Sequence, residues 1–100
     1  MAIVYKNISS ADTHALIVKD SKKGLTINKI LITNHDDSDS CVVKIQLNDK
    51  AGSPTTYVIN ETNIPARASL LLEDNLKFDN KNYELEAVTS TTADITIIIT

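Results

Sequence analysis

The residues best placed for chemistry are an acidic run, two histidines and one cysteine. His35-Asp36-Asp37-Ser38-Asp39 puts three carboxylates and an imidazole within five positions, and Asp37-Ser38-Asp39 imitates the opening of a calcium-binding loop. The imitation stops there: no glycine follows for the sharp turn, no distal glutamate closes the shell, and a strand pattern begins at once. The run therefore reads as a solvated loop whose Asp and Ser side chains cap their own backbone, with no metal expected. His14 lies in a strand-like run near Asp12, but no Gly-x-Ser-x-Gly elbow or Cys–His signature supplies a nucleophile. Cys41 begins a strand after the acidic loop and reads as a buried, inert side chain. With two glycines in 100 residues no phosphate-cradling loop is expected. The expectation is a protein without catalytic residues, cofactor or metal.

Composition bounds the partners. The formal charge is −3, with Lys and Arg scattered singly apart from Lys22-Lys23, and the chain has one Phe, three Tyr and no Trp. Neither a basic stripe nor interleaved aromatics is present, so direct nucleic-acid binding is not expected. A lone cysteine excludes an intrachain disulfide and a Cys-rich zinc site. Asn7-Ile8-Ser9 and Asn60-Glu61-Thr62 match the glycosylation pattern, but Met1 to Ser10 lack a signal-peptide profile. No apolar run approaches the roughly 20 residues that span a bilayer as a helix, and no membrane association is expected. Synthesis and folding are expected in a cytoplasm.

The elements that would carry these residues are strands. Ile, Val and Thr together supply 30 residues, and β-branched side chains suit a pleated surface better than a helix. Short runs recur at roughly 10-residue spacing: 2–8, 13–18, 25–33, 42–47, 55–60, 69–72, 83–87 and 95–99. The turn-like Lys19 to Gly24 and Asn48 to Pro54 separate several of them. Alternation is clearest where Val43, Ile45 and Leu47 interleave with Lys44 and Gln46, the period of a half-buried strand. Leu72 and Leu76 share a helical spacing, but Asn75 and nearby turn residues argue against a long helix. The predicted fold is an all-β, single-domain antiparallel sandwich over residues 1–100, Ig-like or jelly-roll-like, with about eight strands. Its expected core contains Val43, Ile45, Leu47, Leu70, Leu72, Leu85, Ile95, Ile97 and Ile99.

Three apolar residues break the alternation. Val42, Val88 and Ile98 fall opposite the inferred inner faces of their strands, where a lone domain gains solubility from polar side chains. They are predicted to share an outward patch that contacts another subunit.

Roughly residues 25 to 99 carry Ile30-Leu31-Ile32-Thr33-Asn34, Val42 to Leu47, Tyr57-Val58-Ile59 and Asn63-Ile64-Pro65-Ala66. Ser69-Leu70-Leu71-Leu72, Asn75-Leu76, Asn82 to Ala87 and Asp94-Ile95-Thr96-Ile97 follow. In these runs the chain resembles small β-sandwich virion structural proteins of tailed bacteriophages. It departs at Arg67, where such proteins tend to carry Gly after Ile-Pro-Ala, and at the more charged Lys19 to Gly24. The resemblance implies a non-enzymatic subunit present in many copies, a homo-oligomer or lattice located in the virion. The first choice is a capsid decoration or cement protein whose partner is the major capsid protein. A neck, collar or tail accessory protein touching neck or tail proteins is the alternative. Outside the virion, a soluble adhesion or carbohydrate-binding module is the competing class, though few aromatics besides Tyr5, Tyr57, Tyr83 and Phe78 are available to stack on sugars.

Overall fold

β-branched and aliphatic residues at period two leave each strand with one apolar face, and two such faces bury each other only as stacked sheets. A computed structural model describes residues 4–18, 25–49, 55–73, 75–79 and 81–100. Among these, ten strands run β1 (Val4–Ile8), β2 (Thr13–Ile17), β3 (Leu25–Ile27), β4 (Ile30–Asn34) and β5 (Cys41–Asp49). The second half supplies β6 (Thr55–Ile64), β7 (Ser69–Leu72), β8 (Leu76–Phe78), β9 (Tyr83–Thr89) and β10 (Ile95–Ile99). One four-stranded sheet has the order β1-β10-β4-β7, a second has β2-β9-β5-β6, and the short β3 and β8 pair with each other. Every pairing is antiparallel.

Setting aside the β3–β8 pair, eight strands form the sandwich. The first, eighth, third and sixth of these face the second, seventh, fourth and fifth. That is the two-sheet order of a jelly roll, which decides between the two sandwich types the alternation allowed.

The core lies between the sheets. Val43, Ile45, Leu85, Ile95, Ile97 and Ile99 are fully buried there, as their alternation predicts. Leu47, Leu70 and Leu72 pack against that core but remain half-buried. Leu70 and Leu72 belong to an edge strand, and Leu47 pairs with exposed Tyr57 near the end of β5. Ile8, Leu16, Ile27, Ile30, Ile32, Cys41, Ile64, Ala87 and Ala93 complete the interior among the described residues.

The 25–33 run is interrupted. Asn28 and Lys29 leave the strand and exchange backbone hydrogen bonds with Thr100, splitting the run into β3 and β4. β6 extends four residues beyond Asn60 because its polar residues 60–63 continue to pair with β5. The described residues of 69–78 hold two strands and no helix. The turns at Lys19 to Gly24 and Lys50 to Pro54, and the start of the first run at Ala2-Ile3, lie outside the described residues.

Candidate functional site

The acidic loop is built around a buried amide. Asn34 ends β4 fully buried, and its Nδ2 donates to the carbonyls of Asp39 at 2.8 Å and Ile64 at 3.0 Å. Its Oδ1 accepts the Asp36 N–H at 3.0 Å. Asp36 in turn accepts the N–H groups of Ser38 (3.2 Å) and Asp39 (2.9 Å) on one carboxylate oxygen. These backbone bonds hold the Asp36 carboxyl below the usual aspartate range. Asp37 reaches sideways to Arg67 at 3.2 Å in an exposed ion pair. The carboxylates of Asp36 and Asp37 are thus engaged in shaping the loop and its neighbour. Among the described residues, no three potential ligands converge on one point.

His14 has a similar local task. Its Nε2 lies 3.1 Å from the Ser10 carbonyl and 3.4 Å from Thr89 Oγ1, while Thr89 Oγ1 donates to the Ser10 carbonyl at 2.8 Å. The Thr89 N–H donates to the Asp12 carbonyl at 3.0 Å. These bonds tie the β1–β2 turn to the end of β9. Cys41 is buried, its Sγ directed to the Val42 carbonyl at 3.6 Å.

The three outward apolar residues do not form one patch. Lys44 pairs with Val88, and Ser90 bonds to the Val42 backbone, so Val42 and Val88 are diagonal neighbours on the outer face of β5 and β9. Ile98 belongs to the other sheet and points away from the core on the opposite side of the sandwich. The chain therefore presents half-buried aliphatic side chains on both broad faces.

On the Ile98 side the register assembles more than the sequence pattern indicated. Tyr5 pairs with Ile98, Ile98 with Leu31, and Leu31 with Leu71. One apolar row thus crosses all four strands of the sheet, from Tyr5, 74% exposed, to Leu71, 44% exposed. Beside it runs a polar row, Asn7, Thr96, Thr33 and Ser69, joined at its ends by hydrogen bonds. Thr96 Oγ1 donates to Asn7 Oδ1 at 2.9 Å, and the Thr33 and Ser69 hydroxyls lie 3.1 Å apart. A signal for this row existed in the triplets Ile30-Leu31-Ile32, Leu70-Leu71-Leu72 and Ile97-Ile98-Ile99. When both flanks of a triplet face the core, the middle residue faces out.

The β2–β9–β5–β6 sheet is more polar outside. Glu86 and Gln46, only 2% and 6% exposed, meet there: Gln46 Nε2 donates to Glu86 Oε1 at 2.9 Å, and Asn48 Nδ2 donates to the same oxygen at 3.2 Å. Near the end of this sheet the Tyr57 and Tyr83 rings meet edge to face, centroids 5.9 Å apart at 69°. Tyr57, partial desolvation and the carboxylates of Asp49 and Asp79 hold the Tyr83 hydroxyl above its ordinary range. A shallow pocket of about 150 Å³, lined by Ile30, Ile59, Leu72 and Leu76 with Asn60 and Asn75, opens between the sheets.

No family model matches the chain, and no curated protein matches it in sequence. Among solved structures it is similar to an N-terminal endo-1,4-β-D-xylanase 10B of Clostridium thermocellum, comprising CBM22-1 and GH10 modules in complex with xylohexaose. The TM-score is 0.53 at 14% identity, covering 96% of this chain and 26% of that one. The likeness is one of fold. The chain spans about a quarter of that protein's length.

Proposed function

We propose that this chain is a non-enzymatic structural protein of a tailed-bacteriophage particle, acting as a capsid decoration or cement protein. The observation that carries the reading is the placement of outward aliphatic side chains on both broad faces, Val42 with Val88 on one and Ile98 on the other. A subunit with apolar positions on opposite faces is suited to sit between neighbours, as a lattice or shell-bound protein must. The jelly-roll order supports the same class, since this architecture recurs in capsid domains. The resemblance of residues 25–99 to small virion proteins supports it independently. In a repeated lattice weak contacts gain strength by multivalency, so neither face needs a large interface.

The test replaces Val42, Val88 and Ile98 together with Thr. The variant should keep its far-ultraviolet spectrum and lose most of its incorporation into particles. Full incorporation of the folded variant overturns this assignment of the contact faces.

A second reading has its own observation. Jelly rolls also serve as lectin domains, and the Tyr57–Tyr83 pair offers a partly exposed aromatic surface beside two carboxylates. A carbohydrate-binding module of this kind should show calorimetric binding of xylo-oligosaccharides that Tyr57→Ala abolishes. The virion reading predicts no such heat.

A further inference from the structure

The row Tyr5–Ile98–Leu31–Leu71 has the layout of an association surface. Its centre is apolar, and its flanks are the uncharged Asn7, Thr96, Thr33 and Ser69 on one side and Thr100, Lys29 and Glu73 on the other. Lys29 and Glu73 precede and follow the paired residues Ile30 and Leu72, so these rows hold one cation and one anion and no net charge. Beyond the polar row, exposed His35, Asp94 and Arg67 close the rim. An apolar centre inside a polar, solvated rim is the anatomy of a protein–protein contact.

From this we infer that the outer face of the β1-β10-β4-β7 sheet packs against the same face of a second copy. The row is self-complementary. A two-fold axis parallel to the strands, passing between β10 and β4, sets Tyr5 over Leu71 of the second copy and Ile98 over its Leu31. It also sets Thr96 over Thr33 and Asn7 over Ser69, so uncharged polar groups meet uncharged polar groups and no two equal charges are opposed. The face carries no net charge among these residues, although the whole chain carries −3. Two copies therefore meet here without the repulsion a partner of the same charge would suffer elsewhere.

Area sets the strength. Four strands about 4.8 Å apart and rows about 6.8 Å apart give this face roughly 300–400 Å². A standard stable interface takes about 800 Å² from each partner, so the contact is a weak, concentration-dependent one. It deepens the proposal of a many-copy assembly by naming the partner on one face, and rests on that reading for the crowding that populates the contact.

Sedimentation equilibrium from about 10 µM to about 1 mM tests it without any particle, since a contact of this size populates only at high concentration. The wild-type average mass should rise from 11.0 kDa toward twice that value. Leu31→Thr with Ile98→Thr should stay at one chain's mass throughout. So should Tyr5→Ser with Leu71→Ser, two exposed positions whose replacement leaves the core untouched. Val42→Thr with Val88→Thr, on the other face, should associate like the wild type. A wild type that remains monomeric at the highest concentration overturns the inference, as does association that survives both sheet-face variants. A monomer that still incorporates into particles overturns this contact and leaves the virion reading standing. Association by a chain absent from particles does the reverse.

Discussion

Two adjacent isoleucines on β10 give the sharpest test of the inner and outer faces. Ile97 is fully buried between Lys6 of β1 and Ile32 of β4 in the register, while Ile98 faces outward and is half-buried. Ile97→Ala removes three carbon groups at about 0.8 kcal/mol each, and the cavity adds to that, for a total of about 3–4 kcal/mol. Ile98→Ala leaves no closed cavity and loses about half the transfer term, roughly 1 kcal/mol. At about 4–8 °C per kcal/mol for a domain of this size, the first change should lower the thermal midpoint by about 12–30 °C and the second by about 4–8 °C. Melts followed by far-ultraviolet circular dichroism, with urea titrations to check an unchanged m-value, measure both. Ile97→Asp should prevent folding, because a buried unpaired carboxylate is costly. Equal shifts for Ile97→Ala and Ile98→Ala, or the reverse order, would refute the assignment of faces on which the apolar row depends.

Further predictions concern the turns and loop. Arg67 holds φ at 63° at the third position of the turn in which the Ala68 N–H donates to the Pro65 carbonyl at 3.1 Å. Arg67→Gly should therefore stabilise the fold by up to about 1 kcal/mol, less what the exposed Asp37 pair contributes, read as a rise in urea midpoint. Asn34→Ala should cost about 2–3 kcal/mol in the same titration, since it leaves the Ile64 carbonyl buried without its donor. Asp36 has a folded-state pKa below its unfolded value, so its stabilisation is present above about pH 4 and lost as pH falls through the lower, folded value. Asp36→Asn should flatten that acid limb of the stability curve.

Alternation was enough to read strands and much of the core. Ile95, Ile97 and Ile99 differ from Ile98 only in parity, and parity alone places them inside. Pairing was not legible in the same way, because period two fixes a face but not a neighbour. β1 and β10 meet across nearly the whole chain, and only that closure makes a jelly roll of the strands. For the same reason Ile98 was identified as outward while its sheet was not. Its grouping with Val42 and Val88 failed on topology. The continuous 25–33 run hid the break at Asn28-Lys29, since the partner that breaks it is the distant Thr100. At Arg67 the turn holds a left-handed conformation that favours glycine, and the chain places an arginine there.

The proposed membership of a phage particle is measured most directly on the particle itself. Particles purified from cells that express this chain's gene in its native context can be digested for quantitative mass spectrometry and imaged by electron cryomicroscopy. A capsid decoration protein should be present in many copies per particle, with jelly-roll density on the outside of the capsid and one broad face toward the shell. Absence of the chain from intact particles would contradict that membership.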